Sequence, residues 1–213
     1  MSAAGPFRMR ADARRNRDLV LAAAREVFIE QGVDAPLEDV ARRAGVGIAT
    51  LYRRFPDRQA LMRGVALEVL REVTGEARAA LAGEPDGFRA LARYLHRSLD
   101  LRIAAVMPIL DGGLDLDGDD DLRAARQELT PVYEEIVRRA HEEGLRSDVG
   151  AGDLGLMVIR LSRPLPGTFA RTFDDDLAHR QLDILLDGLR AGGGPDRDAM
   201  TIDDVRDARG RDE

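Results

Sequence analysis

The chain has 213 residues, 44% of them apolar, and a net charge of -7. That length suffices for one or two compact domains with a hydrophobic core. It contains no cysteine, which excludes disulfides and thiolate metal sites, and no apolar run is long enough to span a bilayer.

The charge is unevenly divided. Residues 1–63 carry +4 and residues 64–213 carry -11. A basic first third on an acidic body is the electrostatic footprint of a small DNA-binding head. Arg8, Arg10, Arg14, Arg15 and Arg17 are not followed by the apolar core and cleavage site of a signal peptide. A cytoplasmic, nucleoid-associated protein without a membrane partner is therefore expected.

Residues 1–11 read as a flexible arm, with Asp12 as N-cap of the first helix. Val20, Ala23, Ala24, Val27 and Phe28 recur at helical spacing, and Gly32 ends that helix. Pro36 suits the first position of a short helix over Leu37 to Arg43. Gly45 then falls where the chain must take a left-handed conformation, and Val46 is placed to plug the angle between two helices. The following stretch, Gly47 to Phe55, reads as the second helix of a helix-turn-helix. Leu51 and Phe55 share its inner face. Ile48, Thr50, Tyr52, Arg53 and Arg54 remain for the outside, where a hydroxyl, a phenol and two guanidiniums suit a major groove and its flanking phosphates.

Asp57 caps a fourth helix just after Pro56. Leu61, Val65, Val69, Val73, Ala77 and Leu81 form an unbroken i, i+4 line about five turns long. Gly83 to Gly87 is a turn. A further helix carries Phe88, Leu91, Leu95, Leu99, Ile103 and Met107 and ends near Pro108. Asp111 to Gly118 is a loop. Asp119 to Asp121 open the next helix with charge that complements its dipole, Pro131 kinks or splits it, and Gly144 stops it. Two more helices cover Asp153 to Arg163 and Asp174 to Arg190, the latter turning Leu182, Leu185, Leu186 and Leu189 inward. Residues 192–213 read as a disordered tail with a transient turn over Thr201 to Arg209.

Between Arg14 and Leu61 the chain resembles the TetR family of bacterial transcriptional regulators. The resemblance rests on Val20-Leu21, Ala23-Ala24, Phe28, Gly32, Val40-Ala41, Ala44-Gly45-Val46, Thr50-Leu51-Tyr52, Phe55 and Leu61. It implies DNA contacts by Gly47, Ile48, Thr50, Tyr52, Arg53, Arg54 and Arg58. Several positions depart from the family pattern. Ala35 and Pro36 replace a longer turn with a phosphate-binding hydroxyl, Gly47 replaces a serine cap, Arg54 a histidine and Arg58 a lysine. Arginine at 58 keeps the positive charge and can grip phosphate with two bonds.

The resemblance also implies an effector pocket in the body. Tyr94, Arg102, Met107, Tyr133 and Arg163 are the polar or adaptable residues beside apolar stripes that could line it. No metal or other cofactor is expected. In the run Asp115, Asp117, Asp119 a calcium loop would need its glycine and its bidentate Glu at other offsets; Arg126 holds the latter position. His96, His141 and His179 lie far apart in sequence and give no metal-binding spacing. No nucleophile motif supports catalysis.

The expected fold is all-α. An N-terminal three-helix helix-turn-helix head (residues 12–56) precedes a helical ligand-binding and dimerisation body (residues 57–191). The expected function is sequence-specific regulation of transcription, by a repressor released from its operator by a small-molecule effector. A helical small-molecule-binding protein or enzyme with a non-functional head is the alternative. By the resemblance, the active species is a homodimer joined through its last two helices, around Leu154 to Leu161 and Leu177 to Leu189. Its partner is a palindromic double-stranded DNA operator.

Overall fold

The computed structural model describes residues 6–103, 119–163, 174–190 and 198–209. All regular structure among them is helical. The head comprises α1 (Pro6–Gln31), α2 (Leu37–Arg43) and α3 (Ile48–Arg54). The body comprises α4 (Arg58–Gly83), α5 (Gly87–Asp100), α6 (Asp120–Glu142), α7 (Ala151–Leu161), α8 (Asp174–Arg190) and α9 (Ile202–Arg209). None of the described helices is long and apolar enough to cross a membrane.

The first helix begins earlier than expected. It starts at Pro6, so Asp12 lies within it and does not cap it. A proline costs nothing in a first turn, where its missing N–H has no partner anyway. The stretch that follows contains no further helix breaker and several strong helix formers.

The head closes around Val20, Leu21, Val27, Phe28, Val40, Leu51 and Phe55, all at most 4% exposed. Pro36 stands just outside α2 as its N-cap, not at its first position. Gly45 has φ 67, the left-handed value that its place in the turn demands. The amide of Val46 then returns to the Ala41 carbonyl at 3.0 Å, and Val46 packs on the core as expected.

Asp57 caps α4 by accepting from the Ala60 amide at 2.7 Å. Leu61, Val65, Val69, Val73 and Ala77 are fully buried along this helix, which joins head to body. It packs against α5 and α6, and α7 and α8 cover α5.

Other boundaries differ from the sequence reading. α5 stops at Asp100, well before Pro108. Arg102 takes φ 48 there, and its amide meets the Leu99 carbonyl at 2.8 Å. α6 runs unbroken through Pro131. That proline is exposed, so the carbonyl that loses its N–H partner can turn to water. α7 starts two residues early, at Ala151, with Gly150 as cap and the Asp153 carboxylate accepting from the Gly150 amide at 2.8 Å. On α8 Leu182 and Leu186 are buried, but Leu185 is 39% exposed and does not point inward.

Residues near Met200 meet the start of α7. The Gly152 amide donates to the Met200 carbonyl at 2.9 Å, and the Met200 amide donates to Asp153 Oδ2 at 2.8 Å. A Cβ on Gly150 would come within 2.1 Å of the Met200 oxygen, so the glycine admits the tail. Thr201 and Asp204 then form a reciprocal cap for α9, the two amides donating to the opposite side chains at 2.8 and 3.1 Å.

Candidate nucleic-acid interface

The outer face of α3 follows from its inner one. Leu51 is fully buried and Phe55 is 4% exposed, which fixes the rotation of a two-turn helix. Tyr52 is consequently 45% exposed. Gly47, Arg53 and Arg54 are exposed, and Ile48 and Thr50 half-buried. Among the described residues no hydrogen bond or ion pair occupies either guanidinium of α3. Other head arginines are engaged. Arg43 meets Glu30 at 2.7 Å, Arg42 meets Asp39 at 2.7 Å, and Arg17 lies 5.9 Å over the Phe55 ring.

Arg58, expected at a phosphate, has backbone partners within the protein. Its Nη1 donates to the carbonyls of Val33 and Ala35 at 2.6 and 2.7 Å. The side chain thus braces the short turn between α1 and α2. Nothing in the sequence signals this, because the acceptors are backbone atoms more than twenty residues away.

A polar bridge holds the head to the body, and a second one holds α4 to the start of α6. Arg25 on α1 donates to Glu72 and Glu68 of α4 at 2.9 and 3.3 Å, and more weakly to the Leu101 carbonyl at 3.5 Å. Burial pushes the Glu68 carboxyl up, against the pull of Arg25. Arg63 on α4 donates to both Asp119 and Asp121 at the start of α6. The Arg63 hydrogen bonds hold the Asp119 carboxyl below its usual range.

The body contains a cavity of about 140 Å³, lined by Leu99, Asp100, Arg102, Leu161, Ser162, Ala178 and His179. Of the expected ligand residues only Arg102 lies on it. Tyr94 and Tyr133 are in the core, 4% and 7% exposed, with ring centroids 5.1 Å apart. The Tyr133 hydroxyl donates to the Ala151 carbonyl at 2.9 Å. Burial pushes the Tyr94 phenol up to about 12 and the Tyr133 phenol well above its ordinary value. Both phenols are therefore neutral near neutral pH. Arg163 is exposed at the end of α7, and Met107 lies outside the described residues. Asp100, Ser162 and His179, which no local spacing groups, are brought to this cavity by the meeting of α5, α7 and α8.

Comparison with known proteins agrees with this architecture. Residues 20–65 match the family described as bacterial regulatory proteins, tetR family, and residues 86–191 match the C-terminal domain of SbtR-like transcriptional regulators. The crystal structure of a TetR transcriptional regulator from Streptomyces coelicolor superposes with a TM-score of 0.58 at 32% identity, over 83% of this chain and 99% of that one. The chain belongs to the TetR family. A second TetR-family structure, from Mycobacterium vanbaalenii, gives the same TM-score at 30% identity, over 86% of this chain and 99% of that one. An uncharacterised HTH-type transcriptional regulator of Mycobacterium tuberculosis is 42% identical over 69 residues, which are 29% of this chain and 36% of that relative. The match thus spans little more than a third of the curated relative's length.

Proposed function

We propose that this TetR-family chain acts as a homodimer that reads a palindromic operator with α3 and releases it when a small molecule enters the body. The observation that carries the reading is the outer face of α3. Tyr52, Arg53 and Arg54 stand exposed on a helix whose rotation is fixed by Leu51 and Phe55. Phosphate and base contacts need such groups, rigidly held and without competing partners. Ile48 and Thr50 are near enough to the same face to meet a base edge or a thymine methyl.

One head reads few bases. Helix-turn-helix proteins pair two heads roughly 34–36 Å apart. The apolar surface of α8, with Ile184 62% and Leu185 39% exposed, supports pairing through that helix. An effector favouring a body conformation with the wrong head spacing lowers DNA affinity by a coupling energy on the order of 1–3 kcal/mol. The described cavity is smaller than the roughly 300–1,000 Å³ of typical ligand sites. Among the described residues it suits a small effector.

The test is to incubate the purified protein with fragmented genomic DNA near physiological salt and sequence what it retains. The reading expects enrichment of a short palindrome. Uniform retention by a folded protein would indicate binding without sequence choice. No retention, repeated after unfolding and refolding to strip any bound effector, would leave a ligand-binding protein with a non-functional head.

A further inference from the structure

His96 of α5 and His179 of α8 are 83 residues apart in sequence and meet edge to edge in the fold. Their ring centroids are 5.0 Å apart, their planes lie within 13° of parallel, and their Nδ1 atoms face each other at 2.7 Å. The outer nitrogens each meet a carboxylate. His96 Nε2 lies 3.0 Å from Asp183 Oδ1, and His179 Nε2 lies 2.9 Å from Asp100 Oδ1. The run Asp183, His96, His179, Asp100 therefore alternates between α8 and α5 and stitches the two helices at three contacts.

Counting protons fixes the state that makes all three. An ionised carboxylate only accepts, so both Nε2 atoms must carry hydrogen. The Nδ1 pair needs one hydrogen between its two nitrogens. Three protons on four nitrogens is one more than two neutral imidazoles hold and one fewer than two imidazoliums. With two protons, one contact sets lone pair against lone pair. With four, two N–H groups face each other across 2.7 Å.

We propose that His96 and His179 form a one-proton binding site that latches α8 to α5, closed by a single proton and opened by loss of that proton or gain of a second. The surrounding charges suit a single positive charge. Asp100 also accepts from Arg97 at 2.8 Å, and Arg97 reaches Glu76 of α4 at 3.3 Å. Arg102 lines the cavity beside Asp100 and His179, while α7 contributes the uncharged Leu161 and Ser162. One turn away stand Asp176 on α8 and, on α5, Arg93, which is held by Glu84. Arg190 packs 3.9 Å over the Phe88 ring and keeps α8 docked when the latch opens. Asp100 and His179 also border the cavity, so a ligand that bonds either one exchanges with the latch. That consequence alone rests on the proposed effector role.

The test uses the full chain labelled with ¹⁵N-histidine and titrated across about pH 5 to 8, the range in which imidazoles change charge. The latch requires a window in which one ring is an imidazolium and the other a neutral ring accepting at Nδ1. Two rings that take up protons together, independently of each other, would overturn it. The second measurement is amide exchange along α8 in His96→Gln. Loss of a charge-assisted contact should speed exchange about tenfold inside that window. At the acid end, where the second proton has opened the native latch, wild type and variant should match. Equal acceleration at every pH would make the pair mere packing.

Discussion

Two arginines, one on α3 and one at the start of α4, illustrate how little a residue type decides by itself. Arg53 and Arg58 both suit a phosphate in the sequence, yet Arg53 is exposed and Arg58 is held by two backbone carbonyls. Replacing each with alanine should separate their roles. Arg53→Ala should leave the melting temperature unchanged and flatten the dependence of log K on log salt by about one. Arg58→Ala should lower the melting temperature, because two carbonyls lose their donor, at a cost of about 1–3 kcal/mol. Tyr52→Phe, by contrast, should weaken binding to every sequence alike, by a factor of about five if one phosphate hydrogen bond is lost. Anisotropy titrations with selected and scrambled duplexes, beside thermal melts, measure all three. Asp119 makes a pH prediction. Its folded-state carboxyl is held below the unfolded value by Arg63. The stability it contributes is present above the unfolded value and is lost as pH falls through the folded one. Asp119→Asn keeps an N-capping oxygen, so it should melt earlier than wild type near neutrality and with wild type in acid. Glu68 has the opposite sign: its raised carboxyl contributes in acid and loses that contribution as pH rises.

At the scale of elements, the sequence foretold α2, α3, α4 and α8 closely because each is bounded by a local signal. Asp57 caps, Gly45 turns, and the apolar line from Leu61 to Ala77 has one period throughout. The exposed face of α3 was legible for the same reason, since Leu51 and Phe55 determine it. The end of α5 was not, because the apolar spacing continues through Ile103 and Met107 while the helix ends at Asp100. Nor was the docking of the tail, which depends on Gly150 and Gly152 meeting Met200 and Thr201 across the fold. The pairing of His96 with His179 is equally hidden, since no local spacing encodes a contact between α5 and α8. Glycines that look alike in sequence divide in the same way. Gly75 lies within α4 with nothing inside 4 Å of where a Cβ would stand, whereas at Gly87 that atom would sit 2.2 Å from the Arg139 backbone. Gly75→Ala should therefore stabilise by about 0.5–1 kcal/mol. Gly87→Ala should force α5 from α6 and destabilise by about 1–3 kcal/mol. Thermal melts of the two variants should move in opposite directions.

For the whole molecule, a basic head on an acidic body suits a protein that must meet DNA with one end only. Arg25 ties that head to α4 and to the Leu101 carbonyl, and Arg63 ties α4 to the start of α6, a path by which a shift of the body helices reaches α1. The path controls operator reading only if two heads are held at a set spacing, and this makes the α8 surface decisive. Ile184 is 62% exposed in the single chain, so Ile184→Glu should leave each chain folded, with unchanged helical circular dichroism. If α8 pairs two chains, the buried charge would cost several kcal/mol across the interface. Sedimentation should then show monomer at concentrations where wild type is dimer. Affinity for a full palindrome should fall to that for a half-site, while the salt dependence per head stays the same. A variant that remains dimeric and binds the palindrome as before would move the interface away from α8, and the control of head spacing with it.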